Sequence, residues 1–191
     1  MGDIQVRQLR CFPMAILCFM IAAVDLWAQS PKPTDYQVKA AYLYNFGRFI
    51  EWPPTAASAK NDSFMVCVLG RDPFGATLDS ALAGEIVSGK HVVARRISNL
   101  QESANCQILF LSADEDSRLK QVIEKLDKEA VLTVSDIPKF SQRGGMIQFV
   151  LEGNRIRFEV NLTATQHAGL TMSSELLKVA SAVRKDPASG D

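Results

Sequence analysis

Residues Phe64–Leu69, FMVCVL, are apolar at every position and end at Gly70. A run this short and partly β-branched reads as a strand buried on both faces rather than as a helix. Asp72-Pro73 follows, an acceptor side chain ahead of a proline, which is the chemistry of a helix start. Strand, tight turn and helix open a parallel α/β unit. Such a strand needs a neighbour on each side and a helical layer above and below, and the rest of the chain has to supply them.

A chain of 191 residues can bury about two-thirds of its unfolded surface, enough for a core without metals. Lys+Arg and Asp+Glu both total 21, so no nucleic-acid footprint or polyanionic partner is implied. The first residues have another character. Arg7 and Arg10 precede the apolar run Cys11–Val24, and Ala28 has Leu26 two positions before it. This is the plan of a secretory signal peptide cleaved after Ala28. The alternative is a membrane anchor, for which the run is short against the roughly 20 residues a span needs. Export through a cleaved peptide leaves Cys67 and Cys106, which most simply form one disulfide; two buried thiols are the alternative.

The expected organisation is a signal peptide at 1–28, a mobile leader at 29–35, one α/β domain at 36–185 and a polar tail at 186–191. Thr34-x-x-Gln37 is a capping box opening a helix over Asp35–Glu51, ahead of Pro53-Pro54. Its apolar face is Val38, Ala41, Tyr42, Leu43, Phe46, Phe49, Ile50 and Trp52, with Ala40, Tyr44, Gly47, Arg48 and Glu51 facing away. That arc is wider than a surface helix needs. Either the helix is sandwiched deep in the domain, or one flank meets the sheet and the other a partner chain. Tyr42, Leu43, Phe46, Phe49, Ile50 and Trp52 are therefore the candidate partner or dimer surface.

A second helix is expected over Pro73–Ala83, a second strand at Lys90–Ile97 after the turn Ser88-Gly89, and a third at Gln107–Leu111. Ser112-x-x-Glu115 reads as a cap, Leu119, Val122, Ile123 and Leu126 as a helical stripe, and Val131–Val134 as a fourth strand. A disulfide needs Cα atoms within about 7 Å, so strands one and three should be neighbours. This favours order 2-1-3-4 in a mostly parallel sheet with helices on both faces. Gly153-Asn154 is a two-residue turn joining Met146–Leu151 to Arg155–Val160. Registering from it pairs Leu151 with Ile156, Phe149 with Phe158 and Ile147 with Val160, an antiparallel hairpin that extends the sheet. Thr163-x-x-Gln166 caps a short helix ended by Gly169, and Leu176, Leu177, Val179, Ala180 and Val183 stripe a last helix.

Candidate chemistry is sparse. His91 and His167 stand apart, with no metal-spaced cluster and no CxxC. Asp72, Asp114 and Asp136 each follow a strand, at the edge where open α/β sheets bind ligands. Three carboxylates there could hold Mg²⁺, but each has a structural explanation as a cap, a first-turn acid or a turn residue. A small ligand could use the same edge, and Arg71, Asp72, Ser135 and Asp136 are its candidate contacts. No metal, cofactor or catalytic residue is assigned.

Taken in order, KAAYLYNFGRFIEWP (Lys39–Pro53), VCVLGRDPFGATLD (Val66–Asp79), CQILFLS (Cys106–Ser112), VLTVSD (Val131–Asp136), GGMIQF (Gly144–Phe149) and RIRFEVNLTATQHAGLTMSSELLKVA (Arg155–Ala180) resemble the YfiR/HmsC-like family of bacterial periplasmic proteins. The resemblance implies a regulator rather than an enzyme. Such a protein binds the periplasmic sensory region of an inner-membrane diguanylate cyclase and holds it inactive, lowering cyclic-di-GMP and biofilm output. It also implies a homodimer and a structural Cys67–Cys106 disulfide. A further cysteine pair carried by some members is absent. The different-class alternative is a periplasmic sensor or binding protein for a nucleotide- or amino-acid-sized molecule.

Overall fold

The computed structural model describes residues 33–185. The expected signal peptide, the leader as far as residue 32 and the tail lie outside the described residues. In chain order the elements are α1 (Asp35–Phe49), β1 (Ile50–Glu51), β2 (Ser63–Leu69), α2 (Ala76–Leu82), β3 (Ile86–Val87), β4 (Lys90–Ile97), β5 (Ile108–Leu111), α3 (Leu119–Leu126), β6 (Leu132–Ser135), β7 (Ile147–Glu152), β8 (Arg155–Asn161), α4 (Leu162–His167), β9 (Thr171–Met172), α5 (Ser174–Val179) and β10 (Ala182–Arg184). Short 3-10 turns lie at Ala57–Lys60, Leu100–Asn105, Ala113–Arg118 and Phe140–Arg143.

Eight strands form one sheet in the order β10-β8-β7-β6-β5-β2-β4-β3. The middle of it, β4-β2-β5-β6, is the expected 2-1-3-4, all parallel. Alternation along β2 divides the interior. Phe64, Val66 and Val68 point into a core shared with α1 and α2, and Cys67 and Leu69 into a second core shared with α3. Helices therefore cover both faces, as a parallel sheet requires. The β7–β8 hairpin has the register read from its turn: Leu151 opposite Ile156, Phe149 opposite Phe158, Ile147 opposite Val160. Gly153 and Asn154 both have positive φ (53° and 61°), the backbone that a two-residue turn matching the strand twist demands.

Several local readings are corrected. The capping box at Thr34 is present, with Thr34 Oγ1 accepting from Gln37 N at 3.3 Å and Gln37 Oε1 from Thr34 N at 2.7 Å, so Thr34 and Asp35 belong to the start of α1 rather than to a leader. The helix stops at Phe49, and Ile50-Glu51 pairs with Met172 and Thr171 instead. Its inward face is Lys39, Ala40, Leu43, Phe46 and Gly47, so Ala40 and Gly47 point in rather than out. Small residues there permit close approach: a Cβ at Gly47 would stand 2.9 Å from the Phe64 ring.

Asp72 does not cap α2, which begins at Ala76. Asp72 Oδ1 accepts from Phe74 N at 2.7 Å in a tight local turn, and Oδ2 is held by Arg96. Ser112 stands at the start of the 3-10 turn Ala113–Arg118, which precedes α3, but its side chain makes no capping hydrogen bond. Asn161, not Thr163, caps α4 through Ala164 N at 3.0 Å. The last helix ends at Val179, and Ala182–Arg184 forms β10, parallel to β8.

Candidate functional site

The disulfide lies where the strand order needs it. Cys67 and Cys106 are bonded across Cα atoms 6.0 Å apart. They are 0% and 1% exposed, inside the second core. The bond ties the middle of β2 to Cys106, two residues ahead of the neighbouring strand β5.

The strand-end edge is occupied by the protein's own partners. Asp114 accepts from Arg71 N with both carboxylate oxygens at 3.1 Å. Gly70 makes room for it: φ is +88°, and a Cβ would lie 2.7 Å from Asp114 Oδ1. Arg96 donates to Asp72 at 2.8 Å, to both oxygens of Asp79 at 2.7 Å and to Gly75 O at 2.7 Å. The Arg96 hydrogen bonds hold the Asp79 carboxyl below its ordinary value, and the same bonds hold the guanidinium still further above neutrality. Asp136 Oδ2 accepts from Lys39 Nζ at 2.6 Å and from the Tyr36 hydroxyl at 3.2 Å. Burial, followed by the charge of Asp136, raises the Tyr36 phenol above its usual range. Ser135 is fully buried, its hydroxyl donating to Leu111 O at 2.7 Å and accepting from Ile137 N at 3.0 Å.

Of the four candidate ligand contacts, Ser135 is thus an internal bridge, Asp72 and Asp136 are ion-paired, and Arg71 has an exposed side chain. Asp72, Asp114 and Asp136 each answer a different cation or N–H. Among the described residues, no three His, Cys, Asp or Glu side chains are grouped to hold a metal ion. Lys39 was missed at this edge: a lysine early in an amphipathic helix carries no signal that it will be buried against a carboxylate nearly 100 positions away.

The candidate partner surface is split by the fold. Leu43, Phe46 and Ile50 are in the first core. Tyr42 is half-buried, its ring 5.9 Å from Phe149 and 5.5 Å from Phe158, and Trp52 packs edge-on to Phe64 at 5.3 Å. Phe49 reaches the surface at 38% exposure. Ser173 N, at the start of α5, donates to Phe49 O at 2.9 Å, and Ser181 N, just past its end, to Phe158 O of β8 at 2.9 Å, so α5 is tied to the end of α1 and to the sheet. Val179 at the end of α5 is 55% exposed, and Leu151 at the tip of the hairpin is 60% exposed. Neither was in the sequence-based set, because Leu151 counts in the sequence as the apolar partner of Ile156 and Val179 as part of a helical stripe.

This is a disulfide-stapled α/β scaffold whose polar strand ends are internally satisfied and whose α1–α5 side carries exposed apolar residues. A family model described as YfiR/HmsC-like matches residues 36–181. The chain belongs to the YfiR/HmsC-like family, whose members are periplasmic regulators rather than catalysts.

Proposed function

We propose that this protein is a periplasmic repressor, exported by cleavage of the 1–28 signal peptide, that binds the sensory region of an inner-membrane diguanylate cyclase. Holding the cyclase inactive lowers cyclic-di-GMP and, with it, exopolysaccharide and biofilm output. Family membership over residues 36–181 carries this reading. The buried disulfide is consistent with an oxidising compartment.

The contact surface we assign is the outer side of α1 with its neighbours: Phe49, the exposed flank of Tyr42, Val179 and Leu151. A second copy of the chain is expected to share part of it, giving the homodimer. Repression works by population shift, since the protein restrains the cyclase only by its preference for the inactive state. Turning a receptor from 99% active to 99% inactive needs a preference of about 10⁴-fold.

The test is co-purification from detergent-solubilised inner membrane together with cellular cyclic-di-GMP. Loss of the protein should raise cyclic-di-GMP several-fold, and the wild type should restore it and retain a cyclase. Phe49→Glu combined with Val179→Glu should fold, bind no cyclase and fail to restore. Full repression by that folded variant would refute the surface, and a membrane eluate containing no cyclase would refute the function.

A further inference from the structure

On the opposite sheet face, away from the surface assigned above, α3 and the Leu100–Asn105 turn enclose a groove. It consists of two cavities of about 270 and 220 Å³. Leu100, Gln101 and Lys125 line both, so the two adjoin. Together they reach the size of ordinary small-molecule sites.

Both walls are fixed without a ligand. The turn is capped by Asn99 Oδ1, which accepts from Gln101 N at 2.9 Å. It is pinned to β4 by Arg95–Glu102 at 2.9 Å, and Asn61 Nδ2 donates to Asn105 O at 2.7 Å. Immediately after it, Cys106 is cross-linked to β2. The other wall is anchored by Leu119, Val122 and Leu126 in the second core. A groove held open from both sides needs less ordering on binding.

The groove is graded in polarity. One end is lined by Leu100, Ala104 and Leu126 together with Gln101, Ser103, Lys125 and Glu129, and its wall is mostly apolar. The other is lined by Asn99, Gln101, Gln121, Lys125 and Arg118, and contains no acidic residue. Arg118 is forked onto Glu115 through Nε and Nη2, the latter at 2.7 Å, while Lys125 at the junction is exposed and has no ion-pair partner among the described residues. We propose that this groove binds a small amphiphilic anion, its charged head at Lys125 and Arg118 and its apolar tail along Leu100 and Leu126.

The probe is dodecanoate below its micelle concentration, titrated calorimetrically into the purified protein. Saturable binding should be weakened at least tenfold by Lys125→Glu, which removes the head contact, and by Ala104→Trp, which fills the tail end. Lys120→Glu is the charge control, since Lys120 lies on the same helix but outside the groove and is 88% exposed. It should leave binding unchanged, and neutral dodecanol should bind at least tenfold more weakly than dodecanoate. The three altered residues are all exposed, and circular dichroism checks that each variant folds. Absence of saturable binding, equal losses in Lys120→Glu and Lys125→Glu, or undiminished binding in Ala104→Trp would each overturn the assignment.

Discussion

Replacing both cysteines by alanine isolates what the Cys67–Cys106 bond contributes. Alanine is apolar, so no unsatisfied hydroxyl is left in the second core, as it would be with serine. The bonded residues are 39 apart in sequence. In the chain-entropy model a loop of that size stabilises the fold by about 4 kcal/mol, through the freedom it removes from the unfolded chain. The two missing sulfurs add a smaller packing loss, because both sit in a close-packed interior. With a urea m-value of about 2 kcal/mol/M, the midpoint should fall by about 2 M. The wild type refolded under reductant should fall comparably. Native wild type should resist reduction, because neither sulfur is reachable by a thiolate without opening the fold. A double-alanine midpoint within 0.5 M of the oxidised wild type, at unchanged m-value, would refute the reasoning.

Two further perturbations test the strand-end edge. Asp136→Asn strands the ammonium of Lys39, whose side chain is only 10% exposed, and should cost about 2–3 kcal/mol, less than for a fully enclosed pair because Asp136 is 18% exposed. Adding Lys39→Met should recover most of that loss in a double-mutant cycle by urea denaturation; additive losses would show that the pair is not coupled. Arg96→Ala should cost about 1 kcal/mol at pH 7, since its partner Asp79 is 55% exposed and solvent screens the pair. Arg96 holds the folded pKa of Asp79 below the ordinary carboxyl value of 3.8, so its contribution is present above that pH and is lost as pH falls through the lower folded value. The gap between wild type and Arg96→Ala in urea denaturation should therefore hold from pH 7 to about pH 4 and narrow only below that.

The parts of the fold legible in sequence were those over-determined by two signals at once. The hairpin register followed because turn chemistry and both faces of Ile147–Val160 agree on it, and a one-residue slip would turn every apolar side chain outward. The strand order followed because a covalent distance limit joined Cys67 to Cys106. What failed was decided by distant partners. Asp72 has the local chemistry of a cap, but its Oδ1 closes a turn on Phe74 N, its Oδ2 is held by Arg96 of β4, and the helix starts only at Ala76. Ala40 and Gly47 are only weakly hydrophobic, yet both are buried, and at Gly47 the missing side chain lets α1 settle on Phe64. Val183 continues a helical stripe on paper, whereas opposite Val160 it forms ladder bonds that a helix there would forgo. The candidate surface was half legible for the same reason: aromatic residues of α1 announce a need for burial, not which of them the sheet will claim.

The packing of Tyr42 and Phe46 against Phe149 and Phe158 has a consequence for biogenesis. A polypeptide made from its N-terminus emerges with these rings bare, and their floor is synthesised more than 100 residues later. Until then the nascent segment presents a sticky aromatic ridge, the kind of feature that holdase chaperones retain. Maturation is thereby gated by completion of the chain, and a product truncated before Phe149 can never cover that ridge.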